Sequence, residues 1–138
     1  MSAINALPND LSYSKTHEWV RVETVAGKRL ATVGLTGFAL EALTDLVYVD
    51  LPPVGREVQA GQPFGEIESV KAVSDLYSPV DGRIAEVNPW VAHNLKDLAK
   101  DPYQKGWLVK IEFTDEVAIG RLLDAAAYRK QCEEEMAE

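Results

Sequence analysis

Short runs in which apolar and polar residues alternate with a period of two recur along the chain, and no other feature narrows its possible folds as much. "HEWVRVE" sets Trp19, Arg21 and Glu23 on one side and Val20 and Val22 on the other, as a strand with two different faces requires. "AGK" then turns the chain into "RLATVGL", so the two runs read as a hairpin. "DLVYVDL" repeats the strand signature with β-branched and aromatic residues, and Pro52-Pro53 stops it. "WLVKIEF" alternates Trp107, Val109, Ile111 and Phe113 against Leu108, Lys110 and Glu112. The expectation is a mainly β fold.

Helical signals are shorter. Thr36 is placed to cap a helix whose face carries Phe38, Ala42 and Leu43. After Asn88-Pro89, Trp90, Leu95 and Leu98 line a turn or two. From Thr114 or Asp115 onward, Leu122, Ala125, Tyr128, Cys132 and Met136 recur at helical spacing, so residues 115–138 read as a C-terminal helical segment packed on the sheet. Glu133, Glu134 and Glu135 oppose the helix dipole there, and its last turn is expected to fray. Residues 1–11 are expected to be a loose lead-in to one domain spanning 1–138.

An internal echo sits in the middle. "PPVGREV" and "SPVDGRIAEV" share proline, valine, a glycine-centred turn, a basic residue and a returning strand, which suggests two β units related by a local twofold axis. Between them lies "GEIESVKAVSDLYSPVDG", a strand, a polar tip bearing Lys71, and a second strand. Alternation turns Ile67 inward and Glu66 and Glu68 outward, and sets Val73 and Tyr77 opposite Ser74 and Ser78. The tip is unusual because Ser69, Val70, Lys71 and Ala72 contain no glycine and one β-branched residue, so turn formation alone does not explain them. An exposed lysine amine, with an ordinary pKa of ~10.4, is almost wholly protonated at neutral pH and makes a poor nucleophile unaided. Lys71 therefore reads as an attachment point and not as a catalyst.

Composition removes several function classes. The excess of 22 acidic over 14 basic residues gives a net charge of −8, the wrong sign for binding phosphate backbones. The lone Cys132 reads as a small buried hydrophobe that forms no intrachain disulfide, and two histidines with one cysteine are a poor zinc inventory. No apolar run reaches membrane-spanning length, and the opening residues lack the basic and apolar regions of a signal peptide. The expected setting is a soluble intracellular one. No Ser-His-Asp or Cys-His set and no phosphate-cradling loop stands out, so the chain is not expected to be an enzyme.

"ESVKAVSDLYSPVDG" resembles the lipoyl-attachment motif of the glycine cleavage system H-protein family, and "YSKTHEWVRVE", "TVGLTGFALEAL", "VYVDLPPVGREV", "NPWVAHNLKDLAKDPYQKGW" and "LLDAAAY" resemble the family at corresponding places. The resemblance covers about Leu11 to Glu135. It implies a barrel-sandwich hybrid with short helices and a C-terminal helix, and lipoate bound covalently to Lys71. It further implies that Glu18, Asp75 and, less directly, Thr16 line a cleft sheltering the loaded arm, and that Glu68 belongs to the motif read by the lipoate- or octanoyl-attaching enzyme. His17 is expected to pack or hydrogen-bond beside Trp19, and His93 to lie in a loop.

By the same resemblance the chain is a carrier, and it is expected to be a monomer that docks transiently, because a mobile arm must leave one partner to reach the next. It would take an aminomethyl group from a pyridoxal-phosphate glycine decarboxylase (P protein) to a tetrahydrofolate-dependent aminomethyltransferase (T protein), and dihydrolipoamide dehydrogenase (L protein) would reoxidise it. The expected location is the bacterial cytoplasm, or the mitochondrial matrix for a mature organellar form. Two other readings remain: an H-like paralogue donating lipoate to other complexes, and a biotin or 2-oxoacid dehydrogenase carrier domain. The biotin type usually sets its lysine between methionines, whereas Met1 and Met136 are the only ones here. Thr44, Leu95 to Ala99 and Gln104-Lys105 depart from the family pattern.

Overall fold

The computed structural model describes residues 2–137. In chain order its elements are α1 (Ser2–Asn5), β1 (Ser12–Tyr13), β2 (Glu18–Val25), β3 (Lys28–Leu35), α2 (Gly37–Leu43), β4 (Leu46–Asp50), β5 (Glu57–Val58), β6 (Pro63–Ser69), β7 (Val73–Tyr77) and β8 (Gly82–Val87). There follow α3 (Pro89–His93), a 3-10 helix (Leu95–Lys100), β9 (Val109–Phe113), α4 (Val117–Gly120) and α5 (Ala125–Met136). The strands form two sheets, one ordered β1-β2-β3-β9-β8-β5 and the other β4-β6-β7. All pairings are antiparallel.

The main core lies between the sheets. Val20, Ala31, Val33, Val109, Ile111 and Ile84 from the larger sheet meet Val49, Phe64, Ile67 and Leu76 from the smaller. Alternation along β9 sends every second side chain into this core, whereas in β6 a register slip between Pro63 and Gly65 lets Phe64 and Ile67, three residues apart, both point inward. The two echoing segments pair with each other: β5 runs antiparallel to β8, with Glu57 opposite Arg83 and Val58 opposite Gly82. Bonds from the Gly55 amide to the Ile84 carbonyl (2.8 Å) and from the Ile84 amide to the Arg56 carbonyl (2.9 Å) extend the ladder.

A second cluster builds the other side of the molecule and departs from expectation at both ends of the chain. Ile4, Leu7 and Leu11 are buried with Tyr13, Trp19, Ala125, Tyr128 and Cys132. The N-terminal segment is therefore packed where a loose lead-in was expected, because three apolar side chains at helical spacing find the face of α5. The C-terminal segment is interrupted, not continuous. Leu123 leaves the helix to exchange backbone hydrogen bonds with Tyr13 (2.7 and 2.8 Å), and Asp124 then caps α5 by accepting from the Ala127 amide at 2.8 Å. Met136 is exposed instead of completing the apolar stripe, and α5 runs through the three glutamates to Met136, with Glu135 accepting from Gln131 and meeting His17. In α2 the buried residue is Leu40, while Ala42 is exposed.

Candidate functional site

Lys71 stands at the tip of the β6-β7 hairpin and is exposed. The absence of glycine there has a direct cause. The buried Ser69 hydroxyl accepts from the amides of Lys71 (3.3 Å) and Ala72 (3.1 Å), and the Ser69 amide donates to the Ala72 carbonyl at 2.8 Å. The backbone therefore turns without any residue at positive φ between Ser69 and Val73, so side chains are tolerated throughout. A further bond, from the Val70 amide to the Asp45 carbonyl at 2.9 Å, ties the tip to the chain entering β4. Among the described residues the Lys71 ammonium forms no ion pair and no hydrogen bond, and no base touches it. That is the placement an attachment amine needs.

Glu18 is buried, not set out on a cleft wall as expected. Its Oε1 accepts from the Ser14 hydroxyl at 2.6 Å and from the Thr16 hydroxyl, and its Oε2 accepts from the Tyr77 amide at 3.1 Å. The loop closes on itself, because the Glu18 amide donates to Ser14 Oγ at 3.0 Å and the Ser14 amide to the Glu18 carbonyl at 2.9 Å. Burial pushes the Glu18 carboxyl above its ordinary value, and the Ser14, Thr16 and Tyr77 bonds offset part of that rise. His17, at φ 78, completes the tight bend and accepts or donates at Tyr128 Oη (2.7 Å) and Glu135 Oε1 (3.1 Å), so it is a packing and hydrogen-bonding residue as expected.

The residues that Glu18 clamps form a cleft. Ser14, Thr16, Tyr77, Pro79, Leu122 and Leu123 are among the walls of an open space of about 530 Å³. Glu18 thus joins the loop before β2 to the end of β7 from behind, and Ser14 is a positioning residue that the sequence reading missed although it stands four residues before Glu18. Asp75 is exposed and lies elsewhere, in a shallower space of about 400 Å³ with Asp50, Arg56 and Glu66. Asp75 and Tyr77 nevertheless point the same way from β7, so a strip of Val73, Asp75 and Tyr77 runs from the hairpin tip to the cleft. Glu68 is half-buried on the outer face of the sheet between Tyr48 and Val73. Among the described residues, no three His, Cys, Asp or Glu side chains gather as metal ligands, and no helix is long and apolar enough to cross a membrane.

The fold agrees with what comparisons with known proteins find. The family model described as glycine cleavage H-protein matches residues 11–135. The chain is 48% identical over 127 residues to a glycine cleavage system H protein of Rhodopirellula baltica, covering 92% of this chain and 96% of that one. It is 50% identical over 129 residues to the corresponding protein of Rubrobacter xylanophilus, covering 94% and 97%. A crystal structure of a glycine cleavage system H protein from Mycobacterium marinum superposes with a TM-score of 0.81 at 43% identity, covering 91% of this chain and 98% of that one.

Proposed function

The chain belongs to the glycine cleavage H-protein family, and from that premise we propose that it is the lipoyl-bearing shuttle of the glycine cleavage system, with lipoate in amide linkage to Lys71. It carries the aminomethyl group from the glycine decarboxylase to the tetrahydrofolate-dependent aminomethyltransferase, and dihydrolipoamide dehydrogenase reoxidises it. It is a cytoplasmic monomer that lacks catalytic groups of its own. The observation that carries this reading is the Lys71 amine, exposed and unpaired among the described residues at the end of a hairpin held by Ser69 and Asp45. When bound, the dithiolane supplies a strained disulfide that opens to accept the incoming carbon.

The remaining work belongs to the chain's own residues. Amide formation removes the Lys71 charge and leaves a neutral tether, whose confinement to one point keeps its far end at high local concentration for a docked partner. Ser14, Thr16 and Tyr77 form one polar edge of a mainly apolar cleft, also lined by Lys15 and Arg121, that shields the loaded arm from water. Glu18 holds that edge in place, and Asp75 offers an exposed carboxylate along the path between tip and cleft. Intact mass after expression in lipoate-competent cells tests the reading. The expected result is a lipoyl or octanoyl increment that disappears in Lys71→Ala together with glycine oxidation by the reconstituted system, while the fold is unchanged. A biotin increment, no increment, or glycine oxidation that survives Lys71→Ala would overturn it.

A further inference from the structure

Among the described residues eight large hydrophobic side chains are exposed, and four of them lie on the attachment hairpin or on the strand paired with it: Val70 at 74% and Val73 at 60%, and on β4 Val47 at 55% and Tyr48 at 51%. None of the four packs against either core cluster. Tyr48 pairs with Glu68 and Glu68 with Val73, so these three form one row across the outer face of the β4-β6-β7 sheet. The register slips between Leu46 and Tyr48, and Val47 sits in that irregularity, a device that re-aims side chains beside functional sites. Strand propensity accounts for Val73 and Tyr48, but Val70 is in the turn, where a β-branched residue has no local advantage. The next row down is Asp50, Glu66 and Asp75, three carboxylates directly opposite one another, which weakens the sheet and marks the same face as complementary to cations.

Acylation needs the neutral amine, and among the described residues no base pairs with Lys71 to produce it. A partner that closes over apolar side chains expels water from the ammonium and lowers the cost of deprotonation. Enzymes that act on the dithiolane meet the far end of the arm and need not touch residues beside the amine. The acylating enzyme must. Resting on the attachment reading above, we propose that Val47, Tyr48, Val70 and Val73 form an apolar docking collar for the enzyme that acylates Lys71. That enzyme presents an apolar rim to the collar and cationic groups toward Glu68 and the carboxylate row. In the step itself the Nζ lone pair bonds to the carbonyl carbon of an activated acyl donor. The bond from that carbon to its thiolate or phosphate leaving group breaks, and Nζ gives up one proton before attack and one as the amide forms. Nothing is oxidised or reduced.

The test uses full-length apo-protein and an octanoyl-transferring enzyme supplied with an octanoyl thioester, with intact mass as the readout. Combining Tyr48→Thr with Val73→Thr puts a strand-compatible β-branched residue at both positions and is expected to lower the kcat/KM of acylation roughly tenfold or more, as loss of interface anchors does. Combining Val54→Thr with Val117→Thr, two exposed apolar positions outside the collar, is expected to leave it unchanged. The collar variant, carrying lipoate attached to completion by an excess of a lipoate-attaching enzyme, is expected to be reduced by glycine and the decarboxylase at the wild-type rate. Unchanged acylation in the collar variant, an equal loss in the control, or an equal loss in shuttling by the loaded variant would each overturn the collar. A wild-type chain that gains no mass at Lys71 would instead remove the attachment reading, and the collar with it.

Discussion

Thr44 ends α2 at φ 64 and ψ −132, in a region of backbone space that is almost reserved for glycine. A β-branched residue there carries strain of about 1–3 kcal/mol. Thr44→Gly removes that strain, at the cost of about 0.4–1 kcal/mol from the freer unfolded chain. It also loses the exposed bond from the Thr44 hydroxyl to the Leu43 carbonyl at 2.6 Å, a contribution of about 0.5 kcal/mol at such a site. The net expectation is a gain of about 1 kcal/mol, or roughly 3–5 °C in melting temperature for a chain of this size. Thermal and urea unfolding, followed by circular dichroism, measure it. Thr44→Ala serves as the comparison, since it discards the same hydroxyl while keeping a Cβ and should show no such gain. If Thr44→Gly melts at or below both the wild type and Thr44→Ala, the backbone is not held in the glycine region and the argument fails. The position also bears on the site, because the next residue, Asp45, supplies the carbonyl that receives the Val70 amide at the hairpin tip.

Two further substitutions probe the scaffold of the cleft. Glu18→Gln presents an NH2 group where a carboxylate oxygen now accepts hydrogen bonds, and it should cost about 1–3 kcal/mol in acid. Because burial raises the Glu18 carboxyl, the folded state holds its proton more tightly than the unfolded state does. The advantage of the wild type over Glu18→Gln is therefore full below the ordinary value of 4.5 and declines as pH rises through the folded-state value; urea unfolding from pH 4 to 8 that shows the advantage growing would refute the assignment. At Gly34 on β3, an added Cβ would lie 2.5 Å from the indole of Trp19, which is fixed by its own bond to the Pro102 carbonyl at 3.0 Å. Gly34→Ala should therefore cost about 3 kcal/mol or more and lower the melting temperature by roughly 10 °C, and a variant that melts with the wild type would refute the packing.

The attachment hairpin was legible because its information is local. Alternation places Ile67 inward and Glu66 and Glu68 outward over consecutive residues, and the structure agrees. The echo flanking it was legible for the same reason, but that its two strands, β5 and β8, pair with each other was not. The N-terminal packing was available in principle, since Ile4, Leu7 and Leu11 already have helical spacing; what the chain does not state locally is the face of α5 they meet. The break between α4 and α5 has no local signal of comparable strength. It comes from the pairing of Leu123 with Tyr13, 110 residues earlier, which outweighs continuing one helix.

Glu18 shows most clearly where sequence reading stops. Alternation sets it on the same side of β2 as Val20 and Val22, whereas an acid is ordinarily found solvated, so pattern and residue chemistry point opposite ways. Burial becomes tolerable only because Ser14, Thr16 and the distant Tyr77 amide all converge on the carboxylate. The collar has the same character: Tyr48 and Val73 stand 25 positions apart in the chain and share a row only through Glu68 between them. The order of residues alone determined the strands, the turn chemistry and the single lysine left standing at the bend, because each depends on neighbours within a few positions. Which acid is submerged, which apolar side chains gather at the attachment hairpin and where the last helix breaks were decided only by tertiary structure. Those outcomes depend on contacts between segments far apart in the chain, and their energies exist only once the sheets have closed.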